Sequence, residues 1–248
     1  WEAQLRAIAP GLLAGACGAL VLAWGAQEFD HRTFEPLGWS TGSGLAAVLV
    51  LLQLLSLLPP LRPLRRRWLL DLPASGDPHR LWSWISAPWL HRLSLEALLN
   101  GLLLQIVLGA TPLAAGPVVL RYVLSSLLTL AGAVLVGRRY GVSRSWGGAS
   151  GAVAALIALA AVLSLLQGQP HSFRLGELAI PAWVLLLVNA GLQLSWQLPR
   201  QDLQDGSRPL QRLWSSTWWW GTLAGAAWAL ITRASELLGP LLKGAGHG

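Results

Sequence analysis

The 248-residue chain has no methionine, one cysteine, and few charges: 18 basic and 11 acidic residues, or 12% of the total. A lone cysteine excludes an internal disulfide framework, and the apolar run around Cys17 marks it as a small packed side chain. With 54% hydrophobic residues and a mean hydropathy of +0.51, polar groups are too scarce to cover a water-soluble globule of this length. A bilayer is the solvent that suits such a composition. Phosphate loops, nucleotide motifs and metal-ligand clusters are also absent from the sequence, so no metal and no cofactor is expected. The net charge of +7 does not point to nucleic acid, because the basic residues sit in short gaps between long apolar runs.

A helix needs about 20 apolar residues to cross the hydrocarbon core. Apolar stretches near that length occur at 8–26, 44–58, 93–110, 117–136, 149–166, 178–196 and 214–232, uncharged except for Glu96 near the start of the third and Arg121 near one end of the fourth. They predict an all-α, polytopic membrane bundle of seven helices. Pro59-Pro60, the arginines of 62–67 and the polar stretches 73–78 and 201–208 read as turns and surface loops. The first apolar run is expected to be a retained span rather than a cleaved signal, since further spans follow it. This divides the chain into an extra amino-terminal helix with its loop (1–43), a six-helix core (44–233) and a short tail (234–248). With the amino terminus on the cytoplasmic or equivalent side, thirteen basic residues fall inside and five, including Arg121, fall outside.

The sharpest local pattern is Trp146-Gly147-Gly148-Ala149-Ser150-Gly151-Ala152-Val153, a glycine-rich turn that opens directly into an apolar helix. Small residues here permit close helix packing, and taken alone the string is explained by that. Its context adds a second reading. Upstream lie Trp82, Trp89-Leu90-His91 and Leu95-Glu96-Ala97-Leu98-Leu99-Asn100; downstream lies Gly221-Thr222-Leu223-Ala224-Gly225. In this order the segments resemble the rhomboid family of intramembrane serine proteases, over roughly 44–232. The family has a Trp-Arg pair and a histidine, then His-x-x-x-Asn on its second core helix. It has Gly-x-Ser-Gly on the fourth and Ala-His-x-x-Gly on the sixth.

The resemblance implies a rhomboid-like six-helix core plus one extra amino-terminal helix, with Ser150 at the nucleophile position. It also implies an oxyanion site made by the Ser150 N–H and the Asn100 amide, with Gly148, Gly151 and Gly225 as packing positions and Trp82 and His91 as structural landmarks. The departures are equally specific. Thr222 stands at the position given to the family's base, Ala154 at that of its aromatic packing partner, Glu96 at that of the oxyanion-site histidine, and Ser83 at that of the arginine. A threonine hydroxyl takes no proton near neutral pH, and an ionised carboxylate repels an oxyanion.

The sequence therefore reads as a catalytically inactive pseudoprotease that binds transmembrane segments or a membrane complex. One alternative is an active serine protease using Ser150 with Glu96 or His91 as a substitute base, against plain readings of Glu96 as a hydrogen-bonded intramembrane acid and of His91 as an interfacial residue. A second alternative is an accessory subunit of a larger membrane assembly. Expected partners are membrane lipids and client transmembrane helices. Gln53, Gln105, Asn189 and Gln193 read as hydrogen-bonding links between helices, and the tryptophan clusters Trp218-Trp219-Trp220 and Trp82, Trp84, Trp89 as interfacial belts. Fifteen tryptophans leave bound lipid or pigment open.

Overall fold

A computed structural model describes residues 2–29, 41–61, 63, 67–71, 81–91, 94–108, 115–141, 145–175, 177–197 and 209–244. The loops at 73–78 and 201–208 and most of the 62–67 arginines lie outside the described residues. Among those described, nine helices form. Seven are long: α1 (Glu2–Phe29), α2 (Thr41–Leu57), α4 (Ser94–Leu108), α5 (Ala115–Tyr140), α6 (Ser150–Gln167), α7 (Ala182–Gln197) and α9 (Thr217–Gly244). Two short ones, α3 (Ser83–Ser86) and α8 (Pro209–Trp214), sit in connections. This is the expected all-α membrane bundle, a six-helix core plus α1.

Composition explains the helices and their ends. α6 is almost entirely alanine, leucine, valine and isoleucine, which fold as helix wherever the backbone must satisfy its own hydrogen bonds. It stops at Gly168, whose φ of +65° supplies a left-handed cap. α5 ends on Arg138 and Arg139, followed by Gly141, also at +65°. The arginines suit both the helix's negative end and a membrane surface. Among the described residues, three helical stretches are long and apolar enough to cross a membrane: Leu5–Glu28, Gly116–Tyr140 and Ser150–Gln167. Ser43–Leu57, Leu95–Leu108 and Ala182–Ser195 are shorter apolar helices. At 15 residues, α4 spans about 22 Å, less than an average hydrocarbon core.

Two differences from the sequence reading have local causes. The stretch expected to be helical from 178 begins instead as strand β4 (Leu178–Pro181), paired antiparallel with β3 (Ser172–Leu175). Pro181 disfavours helix at Ile180, so the chain stays extended and α7 starts immediately after it. At the other end, α9 passes the expected limit at 232 and continues to Gly244. A second small ladder joins β1 (Leu70–Asp71) to β2 (Ser145–Trp146).

Lipid is as apolar as leucine, so the helices associate through close packing and hydrogen bonds rather than by escaping water. α6 and α9 show this most strongly. A side chain on Gly221 would run into the Gly151 carbonyl, and one on Gly225 into the Ala155 carbonyl. Two helices can approach so closely only across glycine and alanine. The matching four-residue steps also show that they run parallel. α1 lies along α5: Gly15 receives Leu127, and the Gln27 carboxamide oxygen accepts the Gly116 N–H at 2.9 Å. Its opposite face, with Leu13, Leu20, Val21 and Trp24, is exposed, as a lipid-facing surface should be.

The same contacts set the depth of α6. Gly151 abuts Thr129, eleven residues before the end of α5, or about 16 Å along its axis. The first residue of α6 is therefore recessed well inside the bundle.

Candidate functional site

The turn before α6 is pinned beneath the segment 87–91. Gly148 has φ +96°, a conformation that side chains resist, and its N–H donates to the Ala87 carbonyl at 2.7 Å. An added Cβ there would meet the His91 ring, 2.6 Å from Cδ2. On the other side of the turn, Trp146 is buried and its indole N–H donates to the Ser215 carbonyl at 2.8 Å, linking the turn to the entry of α9. Tyr122 on α5 holds the segment from below, donating its hydroxyl to the Pro88 carbonyl at 2.7 Å and packing on Trp89.

His91, whose sequence position suggests an interfacial residue, is fully buried within the protein. Its Nε2 accepts the Ala149 N–H at 2.9 Å, and its own backbone N–H donates to the Gln53 side chain at 3.0 Å. A hydrogen-bonded path thus runs from α2 through His91 to the residue preceding Ser150. Acceptance at Nε2 places the ring proton of a neutral His91 on Nδ1. Gln53 links α2 to the segment that precedes α4. The role of His91 is to hold the turn, and its accepting nitrogen is committed to a backbone N–H rather than to Ser150.

Ser150 is the first residue of α6 and 3% exposed. Its hydroxyl lies 3.1 Å from the Thr217 hydroxyl, and either oxygen can donate. The residue that α9 brings to Ser150 is therefore Thr217, more than a turn before Thr222. The Thr222 hydroxyl is turned back on its own helix, donating to the Trp218 carbonyl at 3.1 Å. Sequence reasoning missed Thr217. The signal that locates it is the packing of Gly221 on Gly151, which fixes the register of α9 against α6.

The remaining positions have their own surroundings. Asn100 on α4 is buried, and its Nδ2 has no hydrogen-bond partner. Glu96, in the first turn of α4, is half-buried and engaged with a neighbour. It lies one turn before Asn100 on the same face. Gly151 receives the Thr129 side chain and Gly225 the backbone of α6, so both are packing positions. Ala154 and Ser83 are buried. Trp82 packs edge-on against Trp68, with centroids 5.9 Å apart, and precedes α3. Among the described residues no group of three or more His, Cys, Asp or Glu is placed to hold a metal ion.

Chemically, the arrangement offers a recessed serine whose hydroxyl meets a second hydroxyl, and elsewhere in the bundle a buried amide with an unpartnered donor. Two hydroxyls facing each other share a hydrogen bond but do not generate an alkoxide. The family model for the Rhomboid domain matches residues 78–235, from just before α3 into α9. No curated protein and no solved structure matches the sequence.

Proposed function

Since the chain belongs to the rhomboid family and its serine faces only a hydroxyl, we propose that it is a non-catalytic rhomboid that binds transmembrane segments without cleaving them. It is an integral membrane protein. The observation that carries the reading is the Ser150–Thr217 contact. The spacing of the family motif Ala-His-x-x-Gly also fits Thr217-Trp218-Trp219-Trp220-Gly221, the turn that carries the residue facing Ser150. In that register Trp218 stands at the histidine place and in the other Thr222 does; neither residue is a base. Trp218 is buried with its indole N–H unpartnered, which supports a site where an aromatic has replaced a polar group.

Client binding is supported by hydrogen-bonding capacity left unused inside the bundle. The Asn100 Nδ2 and both side-chain atoms of Asn189 on α7 are buried without partners. An isolated amide in an apolar interior is costly, and a polar residue on a client helix would satisfy it. The core helices cross the membrane six times in this reading, and α1 once more.

The test is to treat the purified protein, in detergent and in liposomes, with a fluorophosphonate probe and a panel of transmembrane substrates, alongside Ser150→Ala. The expected outcome is equal, background-level labelling and no cleavage in both. Labelling or cleavage confined to the unsubstituted protein overturns the reading, and its loss in Glu96→Gln would identify the carboxylate as the base.

A further inference from the structure

In the half of the bundle away from Ser150, two cavities open beside α5 and α6. One, of about 160 Å³, extends toward α9 and includes Ser125, Trp228 and Thr232 in its lining. The other, of about 180 Å³, extends toward α4 and β3 and includes Val107 and Phe173. Arg121, Leu156, Leu159 and Leu163 line both. The three leucines follow the i, i+3, i+7 spacing that makes one stripe along a helix, so they form a ridge with an apolar slot on either side.

Arg121 and Ser125 lie one turn apart on the same face of α5. Among the described residues neither side chain has a hydrogen-bond or ion-pair partner. Ser125 is nonetheless 3% exposed, so its hydroxyl can be met only from within the cavity it lines. Arg121 sits six residues into α5, about 9 Å from its start, near enough to the helix end for its exposed guanidinium to reach the membrane surface, where an anionic headgroup can meet it. We propose that this groove binds a diacyl anionic phospholipid, with its phosphate on the Arg121 guanidinium and the Ser125 hydroxyl. One acyl chain lies in each slot, on either side of the Leu156–Leu159–Leu163 ridge. The planar guanidinium suits two phosphate oxygens at once. A singly negative headgroup leaves that pairing unopposed, whereas a choline headgroup carries its own cation. The two-slot shape selects two chains over a fatty acid, and the committed charge selects lipid over an uncharged client helix.

The full chain would be reconstituted with equal amounts of phosphatidylglycerol and phosphatidylcholine, re-extracted in mild detergent, and its retained lipid counted by native mass spectrometry. Phosphatidylglycerol should be retained over phosphatidylcholine by about fivefold, the effect of one interfacial arginine. R121Q should abolish the preference and S125A should weaken it. R139Q, exposed at the far end of the same helix, should leave it intact. R121Q alters an exposed residue and should keep the parent Tm, which separates loss of binding from loss of fold. Equal retention of the two lipids, a preference that survives R121Q, displacement of the lipid by inorganic phosphate alone, or a co-purified peptide mass in its place would each overturn the proposal.

Discussion

The Ser150 and Thr217 hydroxyls meet 3.1 Å apart across the seam between α6 and α9, and the seam is held there by Gly221 against Gly151 one turn further along. The register of this contact decides which substitution can restore a base. A histidine at Trp218, next to Thr217, enters the turn that faces Ser150. A histidine at Thr222 starts more than a turn away.

Trp218→His should therefore raise fluorophosphonate labelling of Ser150 above background, by about tenfold, while Thr222→His should leave it unchanged. Tenfold is far below the several orders of magnitude that a complete serine–histidine pair supplies, because Ala154 leaves the imidazole unpacked. Labelling by mass spectrometry at Ser150 is the measurement. The reverse ranking would show that the last helix is registered as Thr222 requires.

Gly221→Ala should be among the most damaging small substitutions in the chain, since the new methyl meets backbone, which cannot move aside. The cost expected for overpacking is about 1–3 kcal/mol, seen as a lowered Tm in detergent. Gly191→Ala on α7, where nothing lies within 4 Å, is the control and should be neutral or slightly stabilising. Equal Tm values for the two variants would mean that α6 and α9 are less closely apposed than described.

His91→Ala should destabilise the fold by about 1–3 kcal/mol, because it strands the buried Ala149 N–H. His91→Gln, which can still present an acceptor, should recover part of that loss. Gly148→Ala should be worse than either, combining a φ of +96° with a clash against the His91 ring. Thermal unfolding orders the three. If His91→Ala were as stable as the parent, the histidine would not be the anchor of the turn.

Orientation is testable with cysteines, because Cys17→Ala removes the single native thiol. Thirteen basic residues against five predict the 62–92 loop on the cytoplasmic or equivalent side. Cysteines in that loop should be shielded from an impermeant maleimide in intact cells and labelled after permeabilisation. Efficient labelling before permeabilisation would invert the topology.

Much of the fold was legible because membrane helices announce themselves by length and lack of charge. All seven long helices overlap the apolar stretches of the sequence, which carry at most one charge each. The hairpin of β3 and β4 was not, since Leu178–Pro181 is as apolar as the helix it precedes and only Pro181 hints at the change. At the site, the order of motifs pointed to Ser150, Asn100 and the last helix, but not to the partner within that helix. Thr217-Trp218-Trp219-Trp220-Gly221 and Gly221-Thr222-Leu223-Ala224-Gly225 both end on glycine at the spacing of the family motif. Only the packing of Gly221 on Gly151 separates them. Burial of His91 was equally hidden, because an arginine follows it and the sequence around it resembles a surface loop.

The contact between α1 and α5 also bears on how the protein is made. The Gln27 carboxamide that receives the Gly116 N–H is separated from it by 89 residues. Synthesis runs from the amino terminus, so α1 enters the bilayer and must linger there, its glycine face uncovered, while α2 and α4 are threaded in. Until α5 arrives, the part of the α1 glycine face that receives Leu127 has no partner in the chain already made. Ribosome pausing at any point before α5 has left the exit tunnel should lengthen that interval.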